Sequence, residues 1–295
     1  IPHSKLWSEE FSKDTVFMGR IKAWLNDERI QYSSSHLHSV EHLSLSPEAD
    51  LIGKKIAVEI KQTKRILGQF DPGCMGMLNA VIDPAKLASI GMPVEYLSQS
   101  DLLAEMKLVN EQEAESCLEW IAESGATIHV GEDRETELTR EQLTAQMKMY
   151  IAAIRFYERY GLSAIGIPYQ YGLVRCVQAS DLVEGMLNNT YRPPIYSRIN
   201  GTPIADQEPI VHFNEGDAGS AVPQVLMKEI LREKGMNMET TLHDVRWGDY
   251  WNGKFVWVFE ISGGAPPEHF GGWKNTSIYR QTKMDFPLGG GTCSG

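Results

Sequence analysis

The sequence predicts an α/β protein: a middle α/β layer, Rossmann-like domain over 51–206, followed by the start of a β-rich domain over 207–295. Two observations carry this. Short apolar runs alternate with amphipathic helical stretches through the middle of the chain, the pattern of an α/β layer. From about residue 240 the pattern changes to strand-like alternation, rich in β-branched and aromatic residues. Residues 1–50 are mixed and read as an N-terminal segment or linker.

The elements follow in order. A helix is expected over 15–27, with Asp14 as its N-cap. Lys54 to Ile60 reads as a strand, and Asp71-Pro72-Gly73-Cys74 as a turn leading into a helix. That strand–turn–helix unit lacks both G-x-G-x-x-G and a P-loop lysine, so a nucleotide site is not indicated. Helices are expected over 98–109 and 111–124, with Ser98 or Ser100 as a cap. A long helix runs over 140–160 behind Thr139-Arg140-Glu141-Gln142, a capping box. Its stripe of Met147, Ile151, Ile154 and Tyr157 is core. Leu162 to Pro168 is a short apolar strand ending at Tyr169-Gln170-Tyr171, and Ser180 caps a helix over 181–188. Sites in α/β layers lie beyond the C-terminal strand ends, where Gln170 falls. Beyond a turn-rich linker around Pro193-Pro194, a helix is expected over 221–234 and strands over 240–247 and 254–261. Asn252-Gly253 is the turn signal between them.

Composition narrows the function. A chain of 295 residues buries roughly 75% of its unfolded surface and needs no disulfide or metal staple to fold. A net charge of −11 argues against nucleic acid and anionic membranes as partners. The four cysteines form no C-x-x-C pair and read as free thiols. With neither a membrane span nor a signal peptide, the expected compartment is the cytoplasm. The start at Ile1 without methionine and the glycine-rich end read as part of a longer polypeptide.

Two carboxylates stand out. Glu215, in His212-Phe213-Asn214-Glu215-Gly216-Asp217, lies just ahead of a helix, and Asp244, in His243-Asp244-Val245-Arg246, lies at the end of a strand. Carboxylates from different elements can share one metal ion or one substrate. Their hard oxygens suit Mn²⁺, with Mg²⁺ or another divalent ion as substitutes. Such a pair can move a proton between neighbouring carbons, one acid taking it and the other returning it. The plainer reading is that Glu215 complements a helix dipole and Asp244 pairs with Arg246. The tract of His36, His38 and His42 reads as a surface loop in preference to a transition-metal site. Of the tryptophans near the end, Trp257 is expected in the core, and Trp251 and Trp273 against a ligand or another subunit.

An ordered set of these segments resembles the L-fucose isomerase family, related to L-arabinose isomerases. The segments are Gly161-Leu162-Ser163-Ala164-Ile165, Tyr169-Gln170, Leu187-Asn188-Asn189, Glu215-Gly216-Asp217, Asp244-Val245-Arg246 and Ser262-Gly263-Gly264-Ala265. The resemblance implies an aldose–ketose isomerase that uses Mn²⁺ and acts on a small sugar such as L-fucose or D-arabinose. It implies Glu215 and Asp244 as metal ligands and as the proton-transferring pair, Gln170 as a sugar contact, and a homo-oligomer. The family's third ligand, a histidine far downstream, has no counterpart here, and its N-terminal domain is not recognisable. Two rivals follow: a noncatalytic sugar-binding protein of the same fold, or another enediolate enzyme, an epimerase or a lyase.

Overall fold

The computed structural model describes residues 10–27, 39, 44–72, 81–168, 172–261, 263–281 and 288–295, with only the backbone at 246, 247, 249 and 250. Residues 1–48 and 49–295 form two units. In the first, helix α1 (Thr15–Asp27) begins as expected, with the Phe17 amide donating to Asp14 Oδ1 at 2.8 Å.

The second unit is built on a four-stranded parallel sheet. Its strands are β1 (Leu67–Phe70), β2 (Val94–Leu97), β4 (Ala164–Gly166) and β5 (Val211–His212), in the order β2-β1-β4-β5. Helices cover both faces. On one, α2 (Pro47–Thr63) and α8 (Ala218–Glu233) contribute Ile56, Ile60, Ala221 and Val225 to a cluster with Leu67, Ala164 and Val211. On the other lie α4 (Gln99–Leu108), α5 (Glu111–Glu123), α6 (Arg140–Tyr160) and α7 (Asp181–Leu187), packed around Phe70, Leu97 and Ile165. Adjacent residues such as Ala164 and Ile165 go to opposite clusters, as strand geometry requires. A short helix α3 (Pro84–Ser89) precedes β2.

One expected strand is a helix: Lys54 to Ile60 lies inside α2. Ile56, Val58 and Ile60 alternate like a strand, but Ile52, Ile56 and Ile60 also repeat every four residues. The helical period prevails: Ile56 and Ile60 are buried while Val58 is 54% exposed.

The long helix α6 has its expected bounds and both bonds of its capping box: Gln142 N to Thr139 Oγ1 at 3.3 Å, and Thr139 N to Gln142 Oε1 at 2.9 Å. Thr139→Ala is therefore expected to lower stability by about 1 kcal/mol in urea denaturation, by leaving a first-turn amide without its acceptor. Ser180, by contrast, makes no side-chain cap bond to α7.

A second sheet, in the order β3-β8-β9, joins β3 (Thr127–Ile128), β8 (Ser277–Arg280) and β9 (Gly291–Ser294). Buried Gln146 of α6 fastens β9: its Nε2 donates to Gly291 O at 3.0 Å and its Oε1 accepts from Gly291 N at 2.8 Å.

Strands β6 (Asp244–Trp251) and β7 (Lys254–Glu260) form an antiparallel hairpin. The first strand starts four residues later than expected and runs up to the turn. Asn252 (φ 48°) and Gly253 (φ 73°) alone make the reversal, since both accept positive φ. Strand parity corrects the tryptophan expectations. Val256 and Val258 share the half-buried face of β7, which leaves Trp257 61% exposed. Trp273 is buried, edge-on to Trp120, with Nε1 donating to Tyr191 O at 2.7 Å. Trp251 is exposed at the hairpin tip.

Candidate functional site

The C-terminal edge of the parallel sheet gathers most of the polar side chains of interest. Strand order reverses between β1 and β4, because the chain passes from β1 to β2 on one side and later to β4 on the other. Crevices form at such reversals. Gln69 of β1 donates to Gly216 O at 2.8 Å, and Gln99 donates to Pro168 O at 2.6 Å. These two bonds tie the segments that follow β4 and β5 to the front of the sheet. Gln170 follows Pro168 but lies outside the described residues, as do His36, His38, His42 and Ser262.

Glu215 leaves β5 at this edge. The strand is short and is extended by a side chain instead of a neighbouring strand: Asn188 Nδ2 donates to His212 O at 3.0 Å, and His212 N donates to Asn188 Oδ1 at 2.8 Å. The chain then turns through Asn214–Gly216, with Glu215 at φ 53°, ψ 15°. A non-glycine residue in the left-handed region is uncommon and is found disproportionately at functional sites. Gly216 follows at φ 77°, packed on Pro168.

Glu215 stands beside two buried acids that the sequence did not single out. Asp181 and Glu184 lie one turn apart on α7, a helix buried on all sides. Burial pushes Asp181 up to about 7, and the nearby Glu215 charge adds to the rise. Glu184 is raised well above the ordinary range by burial, then by Asp181 and Glu215. Three carboxyls so placed resist ionising together: Glu184 holds its proton at neutral pH, and Asp181 has its midpoint there, at about 7. Asn214 Nδ2 donates to Glu184 Oε2 at 2.7 Å, and Gln281 Nε2 donates to Asp181 Oδ1 at 2.6 Å.

His212 Nδ1 lies 3.6 Å from Glu184 Oε2. That distance suggests an ion pair, but burial holds His212 down at about 3 and Glu184 is protonated, so both are neutral. The contact is also too long for a hydrogen bond. The acids are sealed by close backbone approach. A Cβ on Gly263 would meet the Glu184 carboxyl, and one on Gly264 would meet the Asp181 carbonyl oxygen. Cys293 Sγ donates to Ala265 O at 2.9 Å alongside.

Asp244 opens β6 instead of ending a strand, with Glu260 of β7 as its directly opposed partner. Glu260 is a carboxylate that the sequence reading passed over. The hairpin pairing could have found it, once Asn252-Gly253 fixed the register. Asp244 and Glu260 offer carboxylate oxygens of the kind that hard divalent ions take. Among the described residues, no three His, Cys, Asp or Glu side chains are grouped to hold a metal ion. Nor, among them, is any helix long and apolar enough to cross a membrane.

Compared with known proteins, the chain matches no protein-family model and no curated protein.

Proposed function

We propose that the chain is a metal-dependent aldose–ketose isomerase, or its central part, acting on a sugar such as L-fucose or D-arabinose through a cis-enediol. The observation that carries this reading is the setting of Glu215: a left-handed residue at the C-terminal edge of a parallel sheet, beside two buried carboxyls whose ionisation burial opposes. The ordered family resemblance of the sequence supports it, and the strand order supports a Rossmann-like arrangement of the layer. On the same reading the enzyme is a cytoplasmic homo-oligomer.

The donor chemistry of Glu215 and Asp244 fits Mn²⁺ or Mg²⁺ in kind. Such an ion, when bound, stabilises charge on the sugar oxygens. The protein's own residues move the proton. Glu215 takes it from the carbon beside the carbonyl, and Asp244 returns a proton to the neighbouring carbon. Because Glu184 is neutral and burial opposes ionisation of Asp181, Glu215 carries its charge without two full charges behind it. Gln170, just after β4, orients the sugar.

Glu215→Gln and Asp244→Asn are each expected to lower Mn²⁺-dependent turnover at least ~10²-fold, the low end for a lost general acid or base. Exchange of the sugar C2 proton with deuterated solvent is lost in parallel. Full activity in either variant would sink the isomerase assignment. Sugar binding without metal or exchange would favour the noncatalytic rival.

A further inference from the structure

Strand β7 has β6 on one side and, among the described residues, no strand on the other. Its outward N–H and C=O groups form an open edge, a template for a further strand, which proteins usually protect with bulges, charges or proline. Strand β6 is protected in this way: its register shifts between Val245 and Trp247, and its sequence includes the charged residues Asp244, Arg246 and Asp249. Strand β7 has neither bulge nor proline, and its charges sit only at its two ends. Between them Phe255, Trp257 and Phe259 share one face and are all exposed, with Val256 and Val258 half-buried on the other. The rings of Phe255 and Trp257 meet edge to face, 5.2 Å between centroids, and lie over Gly248 of β6, where a Cβ would strike both. A hairpin of two strands is marginal by itself, and a further strand stabilises it.

The residues of β7 name that strand. Read outward from Trp257, the two halves match: valine at 256 and 258, phenylalanine at 255 and 259, then Lys254 at one end and Glu260 at the other. A strand of this pattern complements itself when turned end for end. We infer that the open edge of β7 pairs antiparallel with β7 of a second copy of this chain, about a two-fold axis at Trp257, giving a continuous sheet β6-β7-β7-β6.

In that register Lys254 stands opposite Glu260 of the second copy, Phe255 opposite Phe259, Val256 opposite Val258, and Trp257 opposite itself. Each is a kind of cross-strand pair that stabilises antiparallel strands. A slip of one residue would set each aromatic against the valine face, and a slip of two would leave both charged ends without partners. The ends gain most. Within its own hairpin Glu260 stands opposite Asp244, a like charge, and a lysine on its other side offsets that repulsion. A strand from an unrelated partner would require no such symmetry of β7. The pairing gives the homo-oligomer of the proposed function a location but follows from the strand alone, so it does not rest on the isomerase reading.

The test is sedimentation velocity of the full chain over a range of concentrations. The parent is expected to dimerise by roughly 100 μM. Lys254→Glu and Glu260→Lys, each placing like charges together twice across the axis, are each expected to weaken the dimer about tenfold or more. An equimolar mixture of these two variants is expected to dimerise within about threefold of the parent, because each contact then joins opposite charges. A variant that merely misfolds would not recover on mixing. Trp257→Lys, with two cations meeting on the axis, is expected to stay monomeric, and thermal melting checks that it folds. A monomeric parent at that concentration overturns the inference. So does a dimer that both charge reversals and Trp257→Lys leave unchanged, or a mixture that associates no better than either variant alone. Isomerase activity enters none of these outcomes, and loss of the dimer leaves the isomerase assignment to its own test.

Discussion

Asp181→Asn is expected to stabilise the metal-free protein at pH 8 by up to about 4 kcal/mol while changing it far less at pH 4.5. In the folded state Asp181 keeps its proton up to pH about 7, against an ordinary value of 3.8. The unfolded chain gives that proton up near pH 4. Between these values the folded state binds more protons than the unfolded one, so stability falls as pH rises. The contribution of Asp181 is therefore fully present below about pH 4, is lost through the window up to about 7, and stays lost above it. The gap between 3.8 and about 7 corresponds to about 4 kcal/mol, an upper figure because the group is coupled to Glu184 and Glu215. Asparagine has no proton to lose, and its side-chain oxygen can still accept from Gln281. Urea denaturation of parent and variant at both pH values reads the difference, in which other titrating groups largely cancel. A stability difference that is the same at pH 4.5 and 8 would refute the buried, neutral state of Asp181. Glu184 contributes in the same direction.

Gly264→Ala is expected to cost about 3 kcal/mol or more, the upper range for overpacking a filled interior. The added methyl would fall on the carbonyl oxygen of Asp181, in the backbone of α7, where no side-chain rotation can make room. The corresponding fall in melting temperature is roughly 5–10 °C for a chain of this size. Gly53→Ala is the control. Gly53 sits in α2 with nothing within 4 Å of the added methyl, so alanine is expected to stabilise by about 1 kcal/mol through helix propensity. Equal melting temperatures for Gly264→Ala and the parent would mean that Gly263-Gly264-Ala265 does not press on α7.

What could be read from the sequence depended on how local the cause was. Helix α6 has the expected ends because its capping box and αL terminus at Gly161 lie within the helix's own residues. The Asn252-Gly253 reversal was legible for the same reason. Helix α2 was misread because its isoleucines satisfy two periods at once, and only the packing of Ile56 and Ile60 against Leu67 and Val211 decides between them. Glu215 was legible as an acid ahead of a helix, though its left-handed backbone was not. Asp181 and Glu184 are first-turn acids of a short helix, a position that marks nothing by itself. What makes them unusual is their cover, supplied by Gly263, Gly264 and Cys293 from the far end of the chain. No local pattern around residue 181 announces that cover.

Strand β9 has a consequence for biosynthesis. It pairs with β8, locks onto Gln146 through Gly291, and brings Cys293 against Gly185 of α7. The layer of β1, β2 and β4 can assemble while later residues are still being made. The α6–α7 side shuts around its acids only once residues 263, 264 and 293 are seated against α7. Docking of β9 and of the segment before it, and not the pairing of the parallel sheet, is therefore the folding event that takes Asp181 and Glu184 out of water.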